Sequence, residues 1–348
     1  MINTALLAEI CRVAGAPGHE QRVREIVLRE VESLVDEIRI DNMGNVVAIK
    51  KGKEGKRVMI GAHMDEIGFI VTHVDDKGFV YFHTLGGFDP KTLTAQRVII
   101  HGKEDIIGVM GGKPIHLMNA ADRAKVPTIK DYFIDTGRPK KELDKIISVG
   151  DTITRSGELI EMGDCINCKS LDNRASVFIL IEMFREMKET PPYDVYGVFT
   201  VQEEIGIRGA NVSSMDINPD FGFGLDTTIA WDTPGSTKQE QVSALGEGAC
   251  IKVMDSATVC DYRMVKYMKE LAKNKKLKTQ LEILPAGGTD TAGIQRMNPG
   301  GSIAGAVSIP TRHIHQSIEM VHKEDVRGAI DLLRHSVENL HTYDWSFR

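Results

Sequence analysis

Acidic side chains and histidines close several of the apolar segments in this chain of 348 residues. The clearest case is the apolar run 195–201, which is followed by Gln202 and then by two adjacent glutamates, Glu203 and Glu204. Neighbouring side chains on a strand point to opposite faces, so both carboxylates reach one site only if the backbone turns, and Gly206 permits that turn. Two negative charges at the mouth of a sheet are unfavourable unless a cation lies between them or one of them holds a proton. The pair therefore indicates a cation site at a strand end.

Four other segments end in candidate metal ligands. These are His63 with Asp65, Asp172, Asp226 and His315. His63 and Asp65 follow an apolar run and are two residues apart, which places both on one face of a strand. Asp172 precedes a helical pattern that begins near Ala175. The inventory is thus two histidines and several carboxylates, each at the end of an apolar element.

A charge balance connects these residues to a mechanism. Two neutral histidines and three carboxylates would supply three negative charges, against four positive charges on two divalent cations. That set is His63, His315, Asp172, Glu204 and Asp226. A bridging hydroxide would complete the balance and would leave Glu203 as an unbound base, as in a two-metal hydrolase. Nitrogen and oxygen ligands without thiolate favour zinc, cobalt or manganese over an iron–sulfur cluster or calcium.

Each of these residues also has a simpler structural interpretation. His63 could be a hydrogen-bonded core histidine, and Asp172 could cap the helix that follows it. Asp226 could cap a turn through the two threonines after it. The residues alone also leave open which of Glu203 and Glu204 is the base and which is the ligand.

Seven motifs in a fixed order carry a family resemblance. They are residues 61–69 (GAHMDEIGF), 171–174 (LDNR), 202–206 (QEEIG), 225–228 (LDTT), 232–235 (DTPG), 287–290 (GGTD) and 312–315 (RHIH). With these motifs the chain resembles the glutamyl, deblocking or tetrahedral (TET) aminopeptidases, a family of dinuclear metallopeptidases. The resemblance covers nearly the whole chain, and the motifs are specific in combination.

By position, the resemblance implies that Asp172 bridges two divalent cations, with zinc or cobalt as the expected ions. His63 and Asp226 would bind one ion, and Glu204 and His315 would bind the other. This assignment implies a site for activating water and polarising a peptide carbonyl group.

The catalytic roles implied by the resemblance fall on Glu203 and Asp65. Glu203 would be the general base and acid, and Asp65 would orient the imidazole of His63. Family members usually carry an aromatic residue at the position of His313, so His313 is predicted to have a pocket or supporting role. The expected activity is removal of the first residue from peptides with a free N-terminus. The alternatives are a clan-related metal-dependent deacylase or dipeptidase, and a non-catalytic metal-binding assembly protein.

Composition limits the partners and the compartment. The chain has 49 acidic and 43 basic residues and a net charge of −6, which disfavours binding to nucleic acid through phosphate contacts. No apolar run approaches the roughly 20 residues of a membrane span, so no membrane partner is expected and the cytoplasm is the default compartment. The resemblance implies a homo-oligomer, with dimers that assemble into a tetrahedral dodecamer.

The order of apolar patterns predicts an α/β fold with an insertion. Short β-rich runs fill residues 67–158, whereas helical and strand patterns alternate elsewhere, including helices at 174–188, 258–274 and 323–343. Such alternation predicts a mixed, largely parallel sheet flanked by helices, and the resemblance makes it zinc-exopeptidase-like. The predicted domains are a catalytic metallopeptidase domain at 1–66 and 159–348, and an inserted β-barrel-like dimerisation domain at 67–158.

Overall fold

The computed structural model describes residues 2–347, so positions 1 and 348 of the predicted domain limits lie outside it. The strands are β1 (Glu37–Ile40), β2 (Val46–Lys50), β3 (Glu54–His63), β4 (Gly68–Val74), β5 (Val80–Leu85), β6 (Arg97–His101), β7 (Asp105–Gly112), β8 (Tyr132–Asp135), β9 (Thr152–Arg155), β10 (Ile160–Met162), β11 (Cys165–Cys168), β12 (Tyr193–Thr200), β13 (Phe221–Ile229), β14 (Ala249–Met254), β15 (Thr279–Ile283), β16 (Ile303–Arg312) and β17 (Glu319–His322).

The α-helices lie mainly outside the segment 67–158. They are α1 (Thr4–Arg12), α2 (Gln21–Val31), α3 (Ala120–Ala124), α4 (Lys140–Leu143), α5 (Leu171–Glu186), α6 (Arg208–Ile217), α7 (Tyr262–Lys275), α8 (Asp290–Arg296) and α9 (Lys323–Asn339). Within residues 2–347, none of them combines the length and the apolar composition that a membrane crossing requires.

Eleven of the strands form one mixed sheet. Nine follow the order β1-β2-β12-β3-β13-β16-β17-β11-β10, while β14 pairs with β16 and β15 pairs with β14. The four central strands β12, β3, β13 and β16 are parallel to one another, and β2 and β17 flank them in the antiparallel direction. The parallel centre matters for function because it directs four strand ends toward the same edge of the sheet.

Strand β2 shows how the sheet buries both of its faces. Val46 and Ala48 pack into the cluster that contains residues of α1, α2, α5, α7 and α9. Val47 and Ile49 point the other way and pack with Ile217 of α6 and Ile294 of α8. This period-two alternation, with apolar residues on both faces, is what a sheet covered by helices on each side requires. The predicted fold class is confirmed.

The remaining six strands close into a barrel in the order β4-β5-β8-β7-β6-β9. Its interior has a separate apolar cluster that includes Phe69, Val98, Ile134 and Ile153. The barrel leaves the main sheet directly after His63 and returns to it before β10. The proposed division of the chain into domains at residues 67 and 158 is compatible with this layout and stays a prediction.

Several element boundaries differ from the predicted ones. Helix α7 begins at Tyr262 rather than at 258, because the Asp261 side chain accepts a hydrogen bond from the N–H of Arg263 and caps the helix there. Helix α5 begins at Leu171, and α9 ends at Asn339 rather than at 343. Neither α8 nor β16 was predicted, since α8 has seven residues and β16 contains small residues that give weak strand signals.

Helix α6 packs directly on the strand end that carries the glutamate pair. The N–H of Gly209 donates to the carbonyl oxygen of Val201 at 3.0 Å. A methyl group at position 209 would lie 2.5 Å from that oxygen and 2.3 Å from Oδ1 of Asn45. This contact explains why a glycine occupies the first turn of α6, since real side-chain atoms do not approach so closely.

We expect Gly209→Ala to destabilise the protein by about 1–3 kcal/mol, because the added methyl group overpacks against backbone atoms. Glycine to alanine in a helix would otherwise stabilise by roughly 0.5–1 kcal/mol, so the sign of the change is diagnostic. Urea denaturation measures it. Gly55→Ala is the matched control, because an added methyl group there meets no atom within 4 Å. Equal stability of the two variants would contradict the packing argument.

Candidate active site

Four of the five predicted ligands and the predicted base lie toward the carboxyl ends of the central strands. His63 is the last residue of β3, and Asp226 lies in β13. Glu203 and Glu204 follow β12, and His315 follows β16. Because these strands are parallel, their ends meet at one edge of the sheet, where α/β proteins commonly bind ligands.

Asp172 lies between the two histidines. Its Oδ1 is 3.5 Å from Nε2 of His63, and its Oδ2 is 3.3 Å from Nε2 of His315. Asp172 is buried in the first turn of α5, where the backbone departs from helical geometry, and its peptide bond to Asn173 is cis. Each carboxylate oxygen therefore faces a different imidazole ring, as a ligand shared by two cations would.

Three more carboxylates surround the histidines. Asp226 Oδ1 is 3.8 Å and Glu203 Oε2 is 3.9 Å from Nε2 of His63. On the other side, Glu204 Oε2 is 3.5 Å from Nε2 of His315. The structure thus brings the five predicted metal ligands and the predicted base into one cluster.

Asp65 lies next to His63 and also holds the glutamate pair, and its predicted role in orienting the imidazole stays a prediction. Its backbone carbonyl oxygen, rather than its carboxylate, lies nearest to Nδ1 of His63, at 3.1 Å against 3.4 Å. Its carboxylate accepts hydrogen bonds from the backbone N–H groups of Glu203 and Glu204, at 3.0 and 3.1 Å. Asp65 therefore fixes the backbone of the glutamate pair. With an acceptor at Nδ1 of His63, the Nε2 lone pair of the neutral ring is directed toward the cluster.

Two buried acids that the sequence did not single out hold the same backbone segments. Glu319 accepts hydrogen bonds from the N–H groups of Asp172 and His315, at 2.9 and 2.8 Å. Glu20 accepts one from the N–H of Gln202, at 3.2 Å. Neither acid ends an apolar strand. The one signal in the sequence was the position of Glu319, four residues after His315.

Burial disfavours the ionised form of the acids in this cluster. Burial raises the pKa of Glu203 well above its ordinary value, and Asp226 adds to the rise. Burial and the Asp172 carboxylate raise the pKa of Glu204 in the same way. Burial lowers the pKa of His63, but the carboxylates of Asp172 and Asp226 outweigh it, and the net shift is well upward. The cluster therefore requires positive charge, either as protons or as cations.

The donor atoms fit divalent metal ions. One ligand atom each from His63, Asp172 and Glu204 lies within 4.8 Å of the other two. Oε1 of Glu204 is buried and has no hydrogen-bond partner among residues 2–347. Such a buried orphan oxygen needs a partner that the protein does not supply. Imidazole nitrogens and carboxylate oxygens are ligands that suit zinc and cobalt.

A cavity of about 790 Å³ opens onto the cluster. Six of the seven predicted site residues line it: His63, Asp172, Glu203, Glu204, Asp226 and His315. Asp65 is fully buried behind them. His313 and the loop at 287–289 also line the cavity, and Ile229, Trp231 and Leu284 give it an apolar wall. A pocket role for His313 remains a prediction.

Lys252 of β14 is a cavity residue that the sequence did not indicate. Its Nζ lies 3.0 Å from Oδ2 of Asp255 and 3.2 Å from Oε1 of Glu282, and all three side chains are buried. Burial alone would lower the pKa of Lys252, but the two carboxylates outweigh it and raise the pKa above its ordinary value. Lys252 therefore stays charged, and its charge is already paired.

The chain is similar to known aminopeptidases in sequence and in fold. The M42 glutamyl aminopeptidase family model matches residues 44–332. The lysyl aminopeptidase of Pyrococcus furiosus is 31% identical over 354 residues, which cover 99% of this chain and 100% of the relative. An aminopeptidase of the archaeon Desulfurococcus kamchatkensis is 35% identical with a TM-score of 0.92, covering 96% of this chain and 94% of that one. The TET1 peptidase of Pyrococcus horikoshii is 27% identical with a TM-score of 0.86, covering 96% and 98%.

A sheet of this topology with such relatives defines a peptidase. The chain belongs to the M42 glutamyl aminopeptidase family. The resemblance drawn from the seven sequence motifs is thereby confirmed.

Glu20 offers a test of the buried carboxylates that hold this site. Burial, and next the Asp65 carboxylate, raises the pKa of Glu20 from 4.5 to about 7. Its Oε1 accepts hydrogen bonds from the N–H groups of Gly18 and Gln202, at 2.6 and 3.2 Å. Unfolding lets this group release its proton at a lower pH than in the folded chain. Glu20 therefore reduces the free energy of unfolding as the pH rises from 4.5 toward 7.

We expect the free energy of unfolding of Glu20→Gln, relative to wild type, to rise by roughly 2 kcal/mol between pH 5 and pH 8, because the variant carries no titrating group there. Urea denaturation at several pH values measures this difference. Glu25→Gln, at an exposed position of helix α2, is the control for the loss of a carboxylate nearby in the chain. A constant offset between Glu20→Gln and wild type would refute the assigned shift.

Proposed function

We propose that this chain is an aminopeptidase that depends on two divalent cations and removes the first residue of peptides with a free N-terminus. The observation that carries the proposal is the position of Asp172, whose two oxygens lie 3.5 and 3.3 Å from Nε2 of His63 and of His315. A carboxylate between two imidazoles is the arrangement that a shared ligand needs. Membership of an aminopeptidase family supports the reaction class.

The ligand sets follow from which groups face each histidine. Asp226 would join His63 at one ion, and Glu204 would join His315 at the other, with Asp172 shared between them. Zinc or cobalt suits this set of nitrogen and oxygen donors. Bound there, the two ions would polarise the carbonyl group of the first peptide bond and lower the pKa of an attacking water molecule toward about 7.

Glu203 would move the proton. It lines the cavity, its backbone is fixed by Asp65, and burial raises its pKa. A base of raised pKa can accept the proton from water as the water oxygen bonds to the carbonyl carbon. The same carboxyl group can then donate that proton to the amide nitrogen as the carbon–nitrogen bond breaks. Glu203 ends the cycle ionised, so the proton is conserved.

The amino group of the substrate gives a reason to prefer a free N-terminus. Four carboxylates, those of Asp172, Glu203, Glu204 and Asp226, lie at one end of the cavity, and two divalent cations would balance their charge. A free amine has a lone pair that could bind one of these cations, whereas the lone pair of an acylated nitrogen is delocalised into the carbonyl group. This argument favours an aminopeptidase over a deacylase.

We also propose that the chain forms homo-oligomers, with a dimer that assembles into a tetrahedral dodecamer. The inserted segment exposes apolar side chains, with Ile115, Leu117 and Val126 between 61% and 71% exposed. Exposed apolar groups in one segment favour a protein contact. The TET1 peptidase of Pyrococcus horikoshii can assemble into a tetrahedron or a large octahedral shell. Its likeness to this chain supports the proposal.

The central test pairs free and N-acetylated peptides with metal-stripped protein reloaded with zinc or cobalt. Wild type should release the first residue from the free peptide and none from the acetylated peptide. Glu203→Gln should lower kcat by about 10²–10⁴-fold while two ions remain bound, because it removes proton transfer alone. Glu204→Gln is the matched variant and should reduce the number of tightly bound ions.

Three outcomes would contradict this proposal. If Glu203→Gln loses an ion while Glu204→Gln keeps both, then Glu203 is the metal ligand and Glu204 is the base. Cleavage of the acetylated peptide would favour the deacylase. Absence of turnover with either metal, despite two bound ions, would favour a metal-binding assembly protein.

A further inference from the structure

Glu319 occupies an unusual place beside the cluster. It is the first residue of β17 and is 2% exposed, and it does not line the cavity. Its Oε2 accepts a hydrogen bond from the N–H of Asp172 at 2.9 Å, and its Oε1 accepts one from the N–H of His315 at 2.8 Å. One carboxylate therefore joins the backbone of two residues whose side chains face each other.

The strand register explains this position. Strand β17 pairs with β11, and Glu319 lies opposite Cys168. Residues 169–171 lead from β11 directly to Asp172, so Glu319 lies beside the start of α5. The loop between β16 and β17 returns His315 to the same point. The backbone N–H groups of Asp172 and His315 therefore both lie within hydrogen-bonding distance of the Glu319 carboxylate.

Arg155 of the barrel strand β9 supports the same loop from the other side. Its Nη1 donates to the carbonyl oxygen of His315 at 2.9 Å. Its guanidinium group lies 4.8 Å from the ring centroid of Phe88, and Arg155 is 3% exposed. His315 has a φ of 62°, a left-handed conformation that a residue with a side chain keeps only when its surroundings support it.

We propose that Glu319, together with Arg155, is a positioning residue that sets the separation of Asp172 and His315. It would thereby set the affinity of the cation site that contains His315. The inference rests on the proposed two-cation function. Glu319 contacts neither the cavity nor any ligand atom of the cluster, so its action is indirect. It fixes both amide groups of the facing ligands, and Arg155 fixes the carbonyl group of one of them.

The chemistry of the side chain makes the role specific. A carboxylate has two acceptor oxygens and matches two N–H donors, whereas a carboxamide has one acceptor oxygen and one NH₂ donor. In Glu319→Gln one of the two backbone N–H groups would therefore face another donor. Either Asp172 or His315 must then move. Groups that hold a metal ligand in place typically contribute about 10–100-fold to metal affinity.

A buried carboxylate elsewhere in the fold supplies a matched control. Asp325 of α9 is fully buried and accepts hydrogen bonds from the N–H groups of Gly246 and Gly248, at 2.7 and 2.8 Å. Asp325 is outside the cavity. Asp325→Asn therefore creates the same donor conflict at two backbone amides, away from the predicted ligands.

The experiment titrates zinc and cobalt into metal-stripped, full-length protein by calorimetry. For Glu319→Gln we expect at least one of the two binding steps to weaken by about 10–100-fold, because a displaced His315 affects one site and a displaced Asp172 affects both. Asp325→Asn should keep both affinities. Thermal unfolding of the metal-free proteins should show similar losses of stability for the two variants. Hydrogen exchange of peptides that contain residues 172 and 315 should accelerate in metal-free Glu319→Gln alone.

The outcomes separate this inference from the proposed function. Wild-type protein that binds fewer than two cations would refute the two-cation site itself. If wild type binds two cations, and Glu319→Gln and Asp325→Asn bind them with equal affinities, the proposed function stands and the positioning role is overturned. If Glu319→Gln does not fold, Arg155→Lys tests the same loop, since lysine keeps the charge but not the planar group over Phe88. Wild-type affinity for both ions in Arg155→Lys would then overturn the proposal.

Discussion

The structure depends on crowding several carboxylates at one edge of a parallel sheet and keeping them there. Parallel strands bring their carboxyl ends together, and in this chain those ends carry acids and histidines. Burial opposes every one of those charges. Three further buried acids hold the backbone of the segments that carry these charges. Asp65, Glu20 and Glu319 accept hydrogen bonds from the main chain at positions 172, 202–204 and 315. Because the main chain is held, the functional side chains remain available for other partners.

The anchoring groups divide the site into two halves. Asp65 and Glu20 hold the segment after β12, which carries the glutamate pair. Glu319 holds the start of α5 and the loop after β16, which carry Asp172 and His315. The antiparallel return of β17 is therefore as important for the site as the parallel centre, because it brings Glu319 to the same edge. Four parallel strands alone would place four of the five predicted ligands but would supply no acceptor for the N–H groups of Asp172 and His315.

The sequence was informative where a residue both ended an apolar element and had metal-ligand chemistry. Those two signals, with the family motifs, selected the fold class and the six residues that the structure brings into one cluster. The signals failed for groups that act through the backbone. Glu319 and Glu20 are single acids in segments without a distinctive spacing, and they become important only through burial and register. Asp65 was selected for its proximity to His63, whereas its carboxylate accepts from the amides of the glutamate pair. Lys252 was missed because one of its two partners, Glu282, comes from another strand.

The hydrogen bond from Arg155 to the carbonyl oxygen of His315 crosses from a barrel strand to the loop of a predicted metal ligand. The barrel is therefore not an interchangeable module. A barrel transplanted from a relative would have to bring its own equivalent of this arginine in register, or the histidine loop would lose a support. Changes on the outer barrel surface leave this contact untouched, whereas a change at the last residue of β9 reaches the loop that carries His315.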